Sequence, residues 1–150
     1  MRRRERCWAV VAAAGRGERY GGRTPKQYQR LAGRPVLSWS LGALLSEPSI
    51  DAVVVALAEG DRRFARLPES RDARVQTCRG GARREHSVAS ALHWLETRAR
   101  DEDWVLVHDA ARPCLQPGDL DRLFERVSAS GTGAILAEPI VDTVKEASGA

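Results

Sequence analysis

The sequence predicts an α/β fold built on a mostly parallel sheet, and three observations support this class. Short apolar runs rich in valine and alanine recur along the chain. The stretches between these runs carry apolar residues at helical spacing. One run, Asp51–Ala58, is almost continuously apolar and β-branched, which is typical of a parallel strand covered on both faces. Strands that alternate with amphipathic helices form right-handed βαβ units, and such units build a parallel sheet.

The first half of the chain alternates strands with helices. The apolar run Cys7–Ala14 predicts a buried strand that leads into a glycine-rich segment. Apolar residues at helical spacing predict a helix over Arg34–Ser46, and Pro48 ends it. The remaining elements predicted in this half are a strand at Asp51–Ala58, a short helix at Asp61–Leu67 and a short strand at Arg74–Cys78.

The second half continues the alternation. A helix is predicted from about Arg84 to Arg98, because its apolar residues keep the i, i+3, i+4, i+7 spacing of one helix face. Trp104–His108 predicts the fourth strand. A further helix is predicted to begin at Pro117-Gly118-Asp119, because the same spacing returns directly after it. Gly133–Ala137 predicts a fifth strand.

The composition of the chain argues against several classes of function. The chain has 150 residues, 43% of them hydrophobic and 29% charged, which is ordinary for one soluble domain. No apolar run approaches the ~20 residues of a membrane span, and the basic start lacks the features of a signal peptide, so a cytoplasmic protein is expected. The net charge of +4 is scattered and aromatic residues make up only 5%, which disfavours nucleic-acid binding. The three cysteines lie far apart, which argues against zinc and disulfides.

The segment that follows the first strand is the most informative part of the sequence. It contains Gly15, Gly17 and Arg19 and ends in Pro25-Lys26-Gln27. Glycine lets the backbone approach phosphate groups, peptide N–H groups point at the anion, and Arg and Lys supply charge. The segment lacks the Gly-Lys-Ser/Thr ending of a P-loop and does not make G-x-G-x-x-G. It therefore predicts a polyphosphate loop outside those two templates.

Three strands end in segments that could carry chemistry. These are the glycine-rich loop, Gly80-Gly81, and the stretch from His108 to Pro113. Ligands of open parallel sheets bind beyond the carboxyl ends of the strands, so the three segments should converge at one crevice. Asp109 could hold a divalent cation there, or it could cap a helix or pair with Arg112. Ser87 could bond a base or ribose, or it could cap a helix.

Five segments together resemble the 2-C-methyl-D-erythritol 4-phosphate cytidylyltransferase family. The resemblance runs from about Cys7 to Lys145, and no single segment would carry it alone. The segments are Ala13-Ala14-Gly15-x-Gly17-x-Arg19, Pro25-Lys26-Gln27-Tyr28, Gly80-Gly81-x-x-Arg84-x-x-Ser87-Val88, Val107-His108-Asp109-Ala110-Ala111-Arg112-Pro113 and Asp142-Thr143-Val144-Lys145.

The resemblance implies a fold and a reaction. The fold would be a Rossmann-like three-layer αβα nucleotidyltransferase domain with a mostly parallel, twisted sheet. The substrate's phosphate would attack the α-phosphorus of CTP in line, and pyrophosphate would leave. Because that phosphate is already ionised at neutral pH, positioning and charge neutralisation should carry the catalysis rather than a strong general base.

The resemblance also implies roles for individual residues. Arg19 and Lys26 would stabilise the transition state, and Asp109 would hold Mg²⁺ against the triphosphate. Thr143 would face the methylerythritol phosphate. The remaining nucleotide-binding positions implied by the resemblance are Ala13, Ala14, Gly15, Gly17, Gly81, Arg84, Ser87 and Ala110.

The chain departs from the family's pattern in three ways. Ala82 stands where relatives often have an acidic residue, and Arg16 stands where they often have an apolar one. Family members are also longer, so residues 1–150 are expected to form one incomplete nucleotidyltransferase domain whose C-terminal part is missing. An arm that reaches across a homodimer in the family would begin near residue 139.

Several alternatives remain open. A sister family transfers CMP to ribitol 5-phosphate, but its strand-end motif tends to have valine where this chain has Ala111. The chain could also be a CTP-binding fragment without turnover. A nucleotidyltransferase for another base and a dinucleotide-binding protein are disfavoured by the Gly80-Gly81 segment and by the absence of G-x-G-x-x-G, respectively.

Overall fold

A computed structural model describes residues 5–15 and 24–139. The chain divides into two compact units, residues 1–117 and 118–150. The predictions for residues 16–23 and 140–150 lie outside the described residues; they concern Gly17, Arg19 and Thr143 and most of the expected dimer arm. No helix in the described ranges is both long and apolar enough to span a bilayer.

The first unit is organised by a four-stranded parallel sheet. The strands of this sheet are β1 (Cys7–Ala13), β4 (Ala52–Leu57), β5 (Val75–Arg79) and β6 (Trp104–Asp109), and a separate two-stranded hairpin pairs β2 (Arg30–Leu31) with β3 (Arg34–Pro35). The strand order of the sheet is β5-β4-β1-β6, so the two central strands are flanked by β5 and β6. The parallel α/β prediction is therefore confirmed.

Two helices belong mainly to this unit, and a third begins at its end. They are α1 (Val36–Leu45), α2 (Arg84–Leu95) and α3 (Pro117–Ser130). Among the described residues, three short 3₁₀ helices lie between the larger elements, at Lys26–Tyr28, Phe64–Arg66 and Pro68–Arg71. All three α-helices lie within the predicted regions, and α2 ends at Leu95 rather than at Arg98.

The core lies against both faces of the central strands. In β1 and β4 successive valines are fully buried, which requires cover on both sides of the sheet. On one face Trp8 and Val10 of β1 pack with Val54 of β4 and with Ala91 and Leu95 of α2. This packing fixes the start of α2 beside the carboxyl ends of β1 and β4.

The structure corrects three details of the sequence prediction. Asp61–Leu67 is not an α-helix; a single 3₁₀ turn, Phe64–Arg66, forms there, and Pro68 starts another. Helix α1 begins two residues late because Arg34 and Pro35 pair with β2 across a turn at Ala32-Gly33, both with positive φ. Gly133–Ala137 is not a strand: no described residue pairs with it, and Ile135 is 88% exposed.

Candidate functional site

A cleft of about 1290 Å³ opens at the carboxyl edge of the sheet. Its walls come from the end of β1, from the loop between β5 and α2, and from the turn that follows β6. The predicted convergence of these segments is confirmed. The predicted site residues that line the cleft are Ala14, Gly15, Lys26, Gly81, Arg84, Ser87, Asp109 and Ala110.

The end of β1 is bonded to the turn that carries Lys26. Gln27 is buried, and its Nε2 donates to the carbonyl of Ala13 at 2.7 Å and to that of Gly15 at 3.0 Å. Ala13 is not among the described residues that line the cleft, and its carbonyl accepts this bond. Nothing in the described residues lies within 4 Å of a Cβ placed on Gly15, so these residues leave its backbone uncovered.

Lys26 presents an exposed ammonium group to the cleft. It is the first residue of the 3₁₀ turn Lys26–Tyr28, whose other two side chains are buried. In the part of the chain that the structure describes, no hydrogen bond or ion pair engages the Lys26 ammonium. Its charge is therefore available to an anion on a turn that is held in place by its neighbours.

Gly80 and Gly81 form a second wall of the cleft, at two positions where only glycine fits. A Cβ on Gly80 would lie 2.5 Å from the Cβ of Ala14, and one on Gly81 would overlap His86. The buried Ser87 hydroxyl accepts the Gly81 N–H at 3.1 Å and lies 3.1 Å from the carbonyl of Arg83. Ser87 lies within α2 rather than at its N-cap, so it fastens the glycine loop to the helix.

Asp109 lies between two arginines. The Nε of Arg84 contacts one carboxylate oxygen, and the Nε of Arg112 lies 2.9 Å from the other. The Asp109 side chain is 24% exposed, so solvent screening of these pairs is incomplete. The Arg112 pair was one of the alternatives left open by the sequence. The Arg84 pair links the start of α2 to the end of β6, and it brings two predicted site residues together.

The described lining of the cleft favours anions. Basic residues outnumber acidic ones there: Lys26, Arg79, Arg83, Arg84 and Arg112 against Glu59, Glu85 and Asp109. Helix α2 begins at this wall, and the side chain of its N-cap residue, Arg83, makes no capping hydrogen bond. The positive end of the helix dipole and its free N–H groups add to the attraction for phosphate.

His108 supports the wall and does not line the cleft. Burial lowers the pKa of its imidazole, and its Nε2 lies 3.0 Å from the carbonyl of Arg112. A neutral ring with a proton on Nε2 donates that bond. His108 therefore fastens the turn that carries Asp109, as expected for a packed histidine at a strand end.

Metal ligands are few at this site. Within residues 5–15 and 24–139, no group of three or more His, Cys, Asp or Glu side chains could hold a metal ion. Asp109 is the acidic residue at the end of β6. Mg²⁺ commonly binds proteins through one or two carboxylates together with substrate phosphates, so a lone carboxylate fits a cation that arrives with a triphosphate rather than a resident one.

The fold and the cleft define a class of protein. A parallel α/β sheet with a cationic, glycine-lined cleft at its carboxyl edge is the arrangement in which such folds bind phosphorylated ligands. Within this class, comparison with known families identifies the family of the chain. Residues 7–150 match the model of the 2-C-methyl-D-erythritol 4-phosphate cytidylyltransferase family, and the chain belongs to this family.

Curated relatives and solved structures agree with this assignment. Proteins of that name from Halorhodospira halophila and Xanthomonas axonopodis pv. citri are 48% and 47% identical to the chain over 148 and 140 residues. A crystal structure of 4-diphosphocytidyl-2C-methyl-D-erythritol synthase superposes with a TM-score of 0.82 at 30% identity, over 96% of this chain and 64% of that one. The crystal structure of the Francisella tularensis 2-C-methyl-D-erythritol 4-phosphate cytidylyltransferase superposes with a TM-score of 0.69 at 31% identity, over 84% of this chain and 54% of that one.

The chain spans only part of its relatives. The match to the Halorhodospira protein covers 96% of this chain and 61% of that protein. The match to the Xanthomonas protein covers 93% of this chain and 53% of that protein. The family match over residues 7–150 includes every described residue that lines the cleft.

Proposed function

We propose that this chain transfers the CMP group of CTP to 2-C-methyl-D-erythritol 4-phosphate. The phosphate oxygen of the methylerythritol substrate forms a bond to the α-phosphorus of CTP. The bond from that phosphorus to the oxygen bridging the α- and β-phosphates breaks, and pyrophosphate leaves. The observation that carries the proposal is the cationic cleft at the end of the sheet, formed by the same segments that match the family.

The geometry supports catalysis by positioning and charge. The attacking phosphate needs no general base, and the described lining supplies cations instead. Lys26 is free to meet the triphosphate, and the open backbone at Gly15 allows close approach. Gly81 and Ser87 also line the cleft, and the resemblance implies that they receive cytosine and ribose together with the backbone at Ala13, Ala14 and Gly15.

Asp109 is the residue proposed to hold Mg²⁺. Each of its oxygens pairs with one arginine, and a carboxylate oxygen has two lone pairs, so each can accept a further partner. When bound, the cation would neutralise charge on the triphosphate. Arg84 and Arg112 hold the carboxylate at the strand end, and both guanidinium groups are exposed enough to turn toward phosphate.

Some parts of the proposal rest on the family resemblance alone. These are the roles of Gly17, Arg19 and Thr143, and a homodimer whose arm begins near residue 139. The resemblance supports them because the quoted motifs stand in the family's order and spacing. One incomplete nucleotidyltransferase domain over residues 1–150 and a cytoplasmic location are proposed from the length and composition of the chain as well.

The test is a coupled pyrophosphate-release assay on this chain with CTP, Mg²⁺ and methylerythritol phosphate, with ribitol 5-phosphate in parallel. Release with the first substrate and not with the second is the expected result. Release with ribitol 5-phosphate alone would replace the proposal by the sister activity. CTP binding without release from either substrate would make the chain a nucleotide-binding part of the family without turnover.

A further inference from the structure

Gln27 is a buried amide that the proposed chemistry does not use. Its residue is 6% exposed, and its single amide nitrogen donates to two carbonyls at the end of β1, those of Ala13 and Gly15. An amide nitrogen carries two protons, so one side chain satisfies both acceptors. The bonds join the turn that begins at Lys26 to the strand end that forms the first wall of the cleft.

The same turn has a second anchor. The Tyr28 hydroxyl donates to Asp61 Oδ2 at 2.8 Å, and Asp61 Oδ1 accepts the N–H groups of Arg63 and Phe64. Burial, with the bond to Asp61, raises the pKa of Tyr28, so the phenol remains a donor. Lys26 is thus followed directly by two anchored residues, while its own side chain is exposed.

We infer that Gln27 is the positioning residue of Lys26: it sets the distance between the Lys26 backbone and the end of β1. A lysine side chain is long and flexible, so the place where its ammonium meets a phosphate depends on where its backbone is held. Tyr28 ties the turn to the Asp61 loop, whereas Gln27 ties it to the cleft itself. The inference rests on the proposed function, because it assumes that Lys26 meets the triphosphate of CTP.

The chain offers a matched pair of variants. Gln27→Met keeps the length of the side chain and removes both donors. Gln29→Met is the control, because Gln29 also donates its amide to a main-chain carbonyl, that of Thr24 at 3.0 Å, but makes no bond to β1. A general effect of losing an amide from this segment would appear in both variants.

The experiment follows the NMR signal of a label placed on the Lys26 ammonium group. The chain contains two lysines, Lys26 and Lys145. Reductive methylation with ¹³C-formaldehyde keeps their charge and labels each with a methyl signal, and Lys26→Arg assigns the one from Lys26. The wild type is titrated with CTP and Mg²⁺ and the Lys26 signal is followed by NMR, while calorimetry on the same samples fixes the saturating concentration.

The inference predicts that the Lys26 signal moves on CTP binding in the wild type and in Gln29→Met. In Gln27→Met at saturating CTP the shift should be lost or reduced to less than half. A shift of wild-type size in Gln27→Met would overturn the inference and leave the proposed function intact. A wild type that neither binds CTP nor responds would instead overturn the proposed function, and this inference with it.

Gln27→Glu covers the case in which Gln27→Met does not fold. Burial and two facing carbonyls raise the pKa of a carboxyl at this position. The neutral acid can donate one bond to a carbonyl, whereas the carboxylate can donate none. The Lys26 response should therefore be present near pH 5.5 and lost near pH 8, with the wild type unchanged between them. An equal response at both pH values would overturn the inference.

Discussion

The ammonium group of Lys26 is an exposed cation at the rim of the cleft, on a turn whose next two side chains are buried. In the proposed reaction, such a group would strengthen its contact with phosphate oxygens as charge moves onto the leaving pyrophosphate. An interaction that is stronger in the transition state than in the ground state raises turnover more than affinity.

Lys26→Ala should therefore lower turnover by about 10²–10³-fold, the usual cost of one preorganised charge at a transition state, and should weaken CTP binding much less. Pyrophosphate release measures the first quantity and calorimetry the second. Arg66→Ala is the control, because Arg66 is an exposed cation outside the cleft. Unchanged turnover in Lys26→Ala would contradict the role given to Lys26.

His108 is expected to make the turn after β6 sensitive to acid. Burial lowers the pKa of its imidazole below the ordinary 6.5, so between the two values the unfolded chain binds a proton that the folded chain resists. The stability contributed by the neutral ring is present above about pH 6.5 and is lost as the pH falls through the folded pKa.

His108→Gln keeps an amide donor near the Arg112 carbonyl and removes this titration. The free energy of unfolding, from urea denaturation at about pH 7.5 and pH 5.5, should fall less in the variant than in the wild type. Equal losses in the two proteins would show that His108 does not contribute to the acid sensitivity.

Individual site residues were visible in the sequence when their chemistry was local. The glycines, Lys26 and Asp109 stand in segments whose composition indicates phosphate chemistry. The pairing of Asp109 with Arg84 and the bonds from Gln27 to β1 were not visible, because they join residues 25 and 12–14 positions apart. A glutamine in a polar segment carries no signal that it will be buried.

At the scale of elements, the wall between β5 and α2 depends on backbone contact. Gly80 lies against Ala14 at the end of β1, and its N–H donates to the carbonyl of Leu57 at the end of β4. The two glycines and Ser87 thus bring α2 close enough for its first turn to face the cleft. A side chain at position 80 would push these elements apart.

Gly80→Ala should destabilise the fold by about 1–3 kcal/mol, because its Cβ would overlap Ala14 and press on the Ala56 backbone. Gly42→Ala is the matched substitution, and it should change the free energy of unfolding in the opposite direction. Gly42 lies inside α1 with only the flexible end of Arg34 near its Cβ, so alanine should add about 0.5–1 kcal/mol. Chemical denaturation measures both changes, and a neutral Gly80→Ala would show that this wall can relax.

Periodicity predicted long elements well and short ones poorly. The four strands of the sheet and the three helices were predicted because each carries an apolar pattern over five residues or more. The β2–β3 hairpin was missed because strands of two residues are too short to show a pattern. Gly133–Ala137 has the composition of a strand, but a strand also needs a partner for its ladder of hydrogen bonds, which composition cannot supply.

At the scale of the whole molecule, one cleft brings together the ends of three strands and the start of a helix. Its described lining is predominantly basic on a chain whose net charge is +4. Electrostatic attraction should therefore speed the approach of a triphosphate and weaken as salt is added. The family match over residues 7–150 includes all the described residues of this lining.

The most direct test of the account is calorimetric titration of the chain with CTP, ATP, GTP and UTP, each with Mg²⁺. The account predicts one CTP site per chain, with each of the other three nucleotides bound at least about tenfold more weakly, a difference of about 1.4 kcal/mol. No binding of CTP, or equal binding of all four nucleotides, would contradict the claim that this cleft is a cytidine nucleotide site.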